Sequence, residues 1–430
     1  MPRIEKLNNQ IYIDRRIALK EKILAQYPEA QNGIILLFAN FEQEQNIFKQ
    51  DSSFYYLTGI NEPATALLLD LADDTAIFYM PNFGDQRKKW VKIAINNDEK
   101  NLYGFTDIAY LGEPCTGYQC HPFFSANEYS NLLNRLQIYI DQKRPIYTFN
   151  PQRNSAYLEQ RFILQRINSL INNFAESLID ISALVAQMRR KKTTAELELL
   201  YKAIDITMES HLAVARMIKA GKYEYEMQAL IEYMFIATGG SIAFPSIVAS
   251  GKDSTVLHYH DNNKVLEDNQ LVVVDIGAEY NHYCADLTRT YPVSGKFTDR
   301  QREIYEIVLE TQEFIANTAQ PGYWLANKDQ KDKSLHHIAQ EFLEEKGYNT
   351  YFIHGIGHFL GLDVHDVGDY MQPLAPGDVI TIEPGIYLPD EDLGVRIEDN
   401  YWIVEDGAIC LSEELPKQPD VIEEIMRINN

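Results

Sequence analysis

The chain has 430 residues, of which 45% are hydrophobic and 23% charged, with four cysteines and a formal net charge of −23. This length suits two domains with separate cores, and the acidic balance argues against nucleic acid as a partner, because a phosphate backbone attracts basic surfaces. The cysteines form no Cys-x-x-Cys pair and the N-terminus has no signal-peptide core, so we expect a reducing cytoplasm. No apolar run approaches the roughly 20 residues needed to cross a bilayer, so we expect no membrane partner.

The first part of the chain is predicted to form a small α/β domain. Apolar residues at helical spacing predict helices over residues 11–27 and 154–174. Short apolar runs predict buried strands over residues 33–38, 66–71, 75–80 and 144–149. Asp73 and Asp74 supply polar turn residues between two of these strands, which predicts a hairpin.

We expect the domain boundary within residues 175–192, and divide the chain into domains 1–178 and 179–430. A helix is predicted from Ser182 to Arg190. This helix ends in the basic run 189–192, which in so acidic a chain is expected to be a solvated surface turn rather than a nucleic-acid contact. Thr193 and Glu196 then form a capping-box pattern, which is typical of a helix start.

The second part alternates long helices with strand-like runs. Helices are predicted over residues 193–218, 223–237, 299–318 and 335–346, the third with a capping box from Thr298 and Gln301. Strands are predicted over residues 271–276, 283–291, 378–387 and 395–404.

Five side chains that bind metals well follow one another in this part of the chain: Asp275, Asp286, Glu383 and Glu398 in the predicted strands, and His358 in a glycine-flanked segment. The stiff backbone near a strand end can hold a ligand at a defined point. Four carboxylates and one imidazole form an oxygen-rich set, which suits two divalent cations of the manganese, cobalt or zinc kind better than one tetrahedral zinc. The sequence therefore predicts a two-metal site.

The spacing of these residues supports that interpretation. A turn at residues 279–282 would pair two strands and bring Asp275 close to Asp286, an arrangement that is costly unless cations neutralise the two charges. Glu383 and Glu398 are expected within apolar strands, where an acidic group needs a cation or a partner. Arg396 would point to the same face as Glu398 and could balance its charge.

The histidine-rich segment 354–365 contains glycines at 355, 357 and 361. Glycines allow the backbone to approach a ligand closely or to adopt positive φ angles. We assign His358 to the metal and expect His354 and His365 to face a substrate as donors. Two metals about 3.5–4 Å apart can share a bridging hydroxide that attacks an amide carbonyl, while neutral histidines stabilise the oxyanion or protonate the leaving nitrogen. This chemistry indicates metal-assisted hydrolysis of a small polar substrate.

The motifs around these residues resemble the proline-specific metallopeptidases of the pita-bread fold, aminopeptidase P and prolidase. The matching stretches are 257–259, 274–277, 285–290, 354–368, 381–387 and 394–399, together with 51–63 in the first part. The resemblance implies an α/β (α+β) fold class, with a C-terminal pita-bread catalytic domain of the creatinase/aminopeptidase type and a smaller creatinase-like N-terminal domain.

It also implies roles for individual residues. Asp275, Asp286, His358, Glu383 and Glu398 would bind two metal ions, usually Mn²⁺ with Co²⁺ or Zn²⁺ as alternatives, and Asp286 and Glu398 would bridge them. Glu383 would double as the general base. His258, His354 and His365 would be the substrate-side histidines, and Arg396 would support the ligands or the substrate.

The implied activity is an Xaa-Pro aminopeptidase acting on peptides with proline in the second position, in a homodimer or homotetramer. An X-Pro amide has no N–H and restricted backbone angles, so a dedicated pocket is reasonable. An Xaa-Pro dipeptidase with the same metal site is the alternative, because the connection 369–375 lacks the arginine that related enzymes often place there. A non-catalytic pita-bread binding protein, or a metal-free relative such as creatinase, would be expected to have lost ligands.

Overall fold

The computed structural model describes residues 7–43, 45–120, 125–151 and 157–427. The chain divides into two compact units, one formed by Leu7–Met188 and one that begins at Arg189. The boundary predicted after residue 178 stays a prediction. Within the described ranges, no helix is both long and apolar enough to cross a membrane.

The N-terminal unit is built on a six-stranded mixed sheet. Its strands are β1 (Ile34–Phe38), β2 (Ala66–Asp70), β3 (Thr75–Met80), β4 (Asp107–Tyr110), β5 (Ile146–Thr148) and β6 (Leu178–Asp180), in the order β4-β3-β2-β1-β5-β6. β2 and β3 pair antiparallel, which confirms the predicted hairpin. Its helices are α1 (Gln10–Gln26), α2 (Ser52–Thr58), α3 (Ser130–Asp141) and α4 (Leu158–Asn168), while α5 (Ser182–Arg190) crosses the division between the units.

Apolar side chains of the sheet, α3 and α4 form the core of this unit, among them Leu36, Leu68, Leu136 and Ile163, all fully buried. The predicted helix over 154–174 is shorter than expected. Its start, 154–156, lies outside the described residues, and α4 ends at Asn168, whose side-chain oxygen accepts a hydrogen bond from the Ala175 amide at 3.1 Å. That contact turns the chain back and ends the helix.

The C-terminal unit contains four small antiparallel sheets. Its strands are β7 (Ser241–Ile242), β8 (Ile247–Ser250), β9 (Leu271–Ile276), β10 (Ala278–Tyr280), β11 (Tyr283–Cys284), β12 (Leu287–Pro292), β13 (Val379–Ile382), β14 (Gly385–Leu388), β15 (Leu393–Arg396), β16 (Asp399–Val404) and β17 (Gly407–Cys410). The sheet orders are β12-β9-β8, β13-β16-β17, β11-β10-β7 and β14-β15. An isolated bridge between Thr288 and Glu398 links the first two sheets.

The helices of this unit are α6 (Thr194–Met217), α7 (Glu224–Ala237), α8 (Asp299–Thr318), α9 (Leu335–Glu345) and α10 (Pro419–Arg427). Four of them lie where the sequence predicts them, and α10 is additional. Both predicted capping boxes are present, at the start of α6 and at the start of α8. Short polar signals at helix starts were therefore sufficient to place these ends.

Three of the predicted long strands are each divided by a two-residue gap, and each gap contains one residue of the acidic set. β11 and β12 are separated at Asp286, β13 and β14 at Glu383, and β15 and β16 at Glu398. The expectation that the two glutamates lie inside continuous strands is therefore wrong. Pro384 follows Glu383 and has no amide hydrogen to donate, and the Glu398 amide bonds to the Thr288 carbonyl at 3.1 Å, outside its own ladder.

The basic run 189–192 at the end of α5 is also not a solvated turn. Arg189, Arg190 and Lys192 are buried. Lys192 Nζ lies 2.9 Å from Asp366 Oδ2, and Arg190 Nη2 lies 2.5 Å from Asp378 Oδ2. The sequence signal failed here because the carboxylates that neutralise these cations lie more than 170 residues away along the chain.

Candidate metal centre

One cavity of the C-terminal unit, with a volume of about 510 Å³, collects the site residues expected from the sequence. It is lined by Asp275, Asp286, His358, Glu383, Glu398, His258, His354, His365 and Arg396. Apolar residues complete its wall, including Phe244, Leu257 and Val364. A mixed lining of this kind, with a few convergent polar groups, is typical of small-ligand sites.

Antiparallel pairing brings the two aspartates together. Asp275 in β9 lies opposite Thr288 of β12, and Asp286 immediately precedes β12. The connection between them turns at Asn281 and His282, both with left-handed φ angles (48° and 71°). The predicted hairpin is confirmed, with its turn inside the expected 279–282 range.

Asp286, His358 and Glu398 each offer a ligand atom within 4.8 Å of the others. His358 Nε2 lies 3.3 Å from Asp286 Oδ2 and 3.5 Å from Glu383 Oε1. The other ring nitrogen, Nδ1, lies 3.1 Å from the Phe359 carbonyl and so carries the hydrogen, which leaves Nε2 as an acceptor. Three acceptor atoms therefore face one another, an arrangement that requires a cation or a shared proton between them.

Two carboxylate oxygens at this site are buried and, within the part of the chain that the structure describes, have no hydrogen-bond partner. They are Asp275 Oδ1 and Glu398 Oε1. Their companion oxygens are occupied, since Arg396 Nη2 lies 2.6 Å from Asp275 Oδ2 and Thr288 Oγ1 donates to Glu398 Oε2 at 2.7 Å. A buried acceptor without a partner costs about 1–3 kcal/mol. Divalent cations with oxygen ligands would satisfy both atoms, so the residues fit a metal site.

The electrostatics lead to the same conclusion. Burial, and then the Asp275 charge, raise the pKa of Asp286 well above its ordinary value. Burial, and then the Asp286 charge, do the same to the pKa of Glu398. Burial also raises the pKa of Glu383, although His358 and Arg396 oppose the shift. Protons and divalent metal would therefore compete for these carboxylates.

Arg396 is placed differently from the sequence expectation. Its guanidinium contacts Asp275 directly, not Glu398, and its Nη1 donates to the Tyr387 hydroxyl at 2.9 Å. Tyr387 in turn lies 2.9 Å from His354 Nε2, and His354 Nδ1 lies 2.8 Å from the Gly355 carbonyl. Burial, helped by the Arg396 charge, lowers the pKa of His354 to about 3, so this imidazole is neutral.

The remaining two histidines line the open side of the cavity. His365 and His258 are both exposed, and the His365 ring centroid lies 4.2 Å from that of His358. Burial lowers the pKa of His365, and His358 adds to the shift. His260, which the sequence reasoning missed, also lines the cavity, with its ring centroid 6.3 Å from that of His258.

Hydroxyl and amide side chains support the acidic set, and sequence reasoning gave them no role. Thr288 donates to Glu398, Thr381 Oγ1 donates to Glu383 Oε1 at 3.2 Å, and Asn400 Nδ2 donates to the Asp286 carbonyl at 2.5 Å. Thr288 was accessible to sequence reasoning, because it lies two residues after Asp286 and shares its face. Asn400 carries no such local signal.

A fully buried arginine fixes the backbone beside Glu398. Arg289 donates to the Glu398 carbonyl at 2.7 Å and to Asp399 Oδ1 at 2.7 Å. The segment that carries His358 is held from the other side, since Gly357 packs so closely on Thr381 that any Cβ would overlap its carbonyl. The candidate ligand atoms therefore lie on a closely packed backbone.

Comparison with known proteins identifies the chain's relatives. The family model for metallopeptidase family M24 matches residues 198–405, and the model for the aminopeptidase P N-terminal domain matches residues 12–114. The Xaa-Pro aminopeptidase of Haemophilus influenzae is 30% identical over 92% of this chain and 93% of its own length. The chain belongs to the Xaa-Pro aminopeptidase family.

Solved structures agree with this membership. Aminopeptidase P from Escherichia coli with the inhibitor Pro-Leu is 28% identical, covers 98% of this chain and 99% of its own, and superposes with a TM-score of 0.81. The Xaa-Pro dipeptidase of Pyrococcus furiosus is 41% identical, but over only 57% of this chain and 71% of its own. The predicted fold class is confirmed, with a pita-bread catalytic domain and an aminopeptidase P N-terminal domain. Membership of a metallopeptidase family implies that the C-terminal unit binds divalent metal.

Proposed function

We propose that this metallopeptidase is a two-metal Xaa-Pro aminopeptidase, which releases the N-terminal residue from peptides that carry proline second. The observation that carries the proposal is the convergence of five predicted ligand side chains on one cavity, where two buried carboxylate oxygens have no hydrogen-bond partner among the described residues. The match to a relative over 92% of the chain supports it.

The proposed ligands are Asp275, Asp286, His358, Glu383 and Glu398, with Asp286 and Glu398 shared by the two ions. Mn²⁺ is the ion we expect, since carboxylate-rich sets suit it. Bound metals would polarise the scissile carbonyl and lower the pKa of the attacking water. The close approach of the carboxylates and the raised pKa values of Asp286 and Glu398 support this ligand set.

Glu383 is the proposed general base. It would accept a proton from the attacking water and deliver it to the proline nitrogen as the C–N bond breaks. Burial raises its pKa towards the working range of a proton carrier. The Arg396–Tyr387–His354 chain of hydrogen bonds would fix the neutral His354 imidazole beside it, with His354 Nδ1 3.7 Å from Glu383 Oε2.

His258 and His365 are proposed to hydrogen-bond the substrate from the open side of the cavity, and Phe244, Leu257 and Val364 offer apolar surface for the proline ring. A cytoplasmic homodimer or homotetramer is also part of the proposal, as implied by the resemblance. The chain's acidic charge suits a neutral or amine-bearing peptide rather than a polyanion.

An Xaa-Pro dipeptidase is the second candidate, because the identity to the Pyrococcus furiosus dipeptidase is higher across the part that matches. The two activities are separated by stripping the protein with a chelator, reloading it with Mn²⁺, Co²⁺ or Zn²⁺, and offering Gly-Pro and Gly-Pro-Leu. Release of glycine from the tripeptide supports the aminopeptidase. Cleavage of the dipeptide alone would make the protein a dipeptidase, and no cleavage with any metal would revive the binding-protein alternative.

A further inference from the structure

Buried cations of the basic run at the end of α5 pack against the segment that carries the cavity histidines. Arg189 Nη2 lies 2.5 Å from Asp366 Oδ1, and Lys192 Nζ lies 2.9 Å from Asp366 Oδ2. Both oxygens of this carboxylate are thus paired with cations from one short segment, and its side chain is 1% exposed. A buried carboxylate with both oxygens held by fixed donors has little freedom to move.

Asp366 follows His365 directly in the chain, so its position restricts the backbone of that histidine. The Asp366 amide donates to the Phe359 carbonyl at 2.9 Å, which closes the loop between His358 and His365. Within this closed loop the two imidazole rings approach to 4.2 Å between centroids. The ion pairs therefore anchor the His365 end of the loop, whereas the other end carries the proposed metal ligand His358.

Two further contacts extend the anchor. Arg190 donates two hydrogen bonds, of 2.7 Å and 2.5 Å, to Asp378, which directly precedes β13. Gly361 packs against the Asp366–Lys192 pair so closely that a Cβ would overlap the carboxylate, and its carbonyl accepts from the Cys284 amide at 2.8 Å. The cluster thus also contacts the hairpin that presents Asp286.

We propose that Arg189 and Lys192, acting through Asp366, are positioning residues that hold His365 over His358 in the substrate cavity. Neither cation lines the cavity. Buried ion pairs are a weak source of stability compared with apolar packing. We therefore expect these pairs to act mainly on the position of the His365 side chain. The inference rests on the proposed function for its kinetic consequence, but the placement of His365 can be tested without any activity.

The kinetic test is a double-mutant cycle with Lys192→Met and His365→Ala, using the Mn²⁺-loaded enzyme and an Xaa-Pro tripeptide. Lys192→Met is expected to lower kcat by about 10–100-fold with little change in KM, because a misplacement of about 1 Å near the reacting atoms has roughly that effect. In the His365→Ala background the same substitution should change kcat by less than about twofold. Equal factors in the two backgrounds would overturn the proposal.

Structural damage is separated from positioning by three comparisons. Lys192→Met should keep wild-type metal content by elemental analysis, and Lys192→Arg, which retains the charge, should recover part of kcat. The matched control is Arg144→Met, which breaks the equally buried pair with Asp70 in the N-terminal unit and should lower Tm without changing kcat. If Lys192→Met does not fold, Asp366→Asn replaces it in the cycle, because it removes the charge that pairs with both Arg189 and Lys192 while keeping the size of the side chain.

A crystal structure of the Lys192→Met variant, or of Asp366→Asn in its place, gives the readout that does not depend on turnover. The His365 ring is expected to shift by on the order of 1 Å relative to His358. An unmoved ring would overturn the positioning role even in an active enzyme. A shifted ring in a protein that cleaves no Xaa-Pro peptide would instead leave the positioning intact and reject the proposed function.

Discussion

Arg396 contacts the acidic set directly through Asp275. Its removal should lower the free energy of unfolding of the metal-free protein, because the carboxylates then repel one another without a compensating positive charge. Its Nη2 lies 2.6 Å from Asp275 Oδ2, and its other nitrogens contact the Tyr387 and Thr288 hydroxyls at 2.9 Å and 3.3 Å. The side chain is 5% exposed, so solvent screens these contacts little. Arg396→Met keeps most of the aliphatic length and deletes the charge.

The expected loss follows from the geometry. At an effective dielectric constant of about 20, two unit charges at the observed 2.6 Å attract by roughly 6 kcal/mol. The substitution also removes the desolvation cost of the guanidinium, which recovers part of that energy. Breaking a buried pair from one side typically leaves a net cost of about 3–5 kcal/mol, and we expect a destabilisation of that size in the metal-free protein.

The assay is urea unfolding followed by tryptophan fluorescence. Trp90 lies in the N-terminal unit, whereas Trp324 and Trp402 lie in the C-terminal unit, so a Trp90→Phe background reports on the unit that contains Arg396. The matched control is Arg300→Met, whose partner Glu391 is 2.7 Å away at an exposed site, and which should cost less than about 1 kcal/mol.

Metal provides the second arm of this experiment. Bound divalent cations stabilise the folded state through linkage and supply the positive charge that the variant lacks. The gap between wild type and Arg396→Met should therefore be smaller with Mn²⁺ than with a chelator. A gap below about 1 kcal/mol with chelator, or one that metal leaves unchanged, would refute the view that Arg396 offsets the charge of this cluster.

Three further outcomes are expected. Glu383→Gln should lower kcat by about a hundredfold or more, as loss of a general base does, whereas the surface change Glu391→Gln should leave kcat unchanged. His365→Ala should lower kcat yet retain full metal content by elemental analysis, and loss of metal would make His365 a ligand. Metal-free protein should lose Tm as pH rises above the ordinary carboxyl range. The reason is that the raised pKa values of Asp286 and Glu398 let the folded state bind more protons than the unfolded state in that window. Saturating metal should flatten this slope, and an equal slope with and without metal would contradict the assignment.

Local patterns in the sequence were sufficient for the four long helices predicted in the C-terminal unit, for the N-terminal hairpin, and for selecting the acidic residues that the structure brings to one cavity. Helix caps such as Thr193 with Glu196 depend on residues three positions apart, and strand runs depend on their own alternation. The proximity of Asp275 and Asp286 could be predicted because two strands joined by a short turn must pair antiparallel. These are interactions of short range along the chain, which a sequence displays directly.

Partner choice over long separations was decided by tertiary packing. The sequence could not show that Arg396 pairs with Asp275, 121 residues away, rather than with nearby Glu398. Nor could it show that Lys192 is neutralised by Asp366, 174 residues away, and so is buried and not solvated. A charged residue carries the same local signal whether it meets water or a distant carboxylate, because the desolvation and the compensating contact arise only when the sheets and loops pack together.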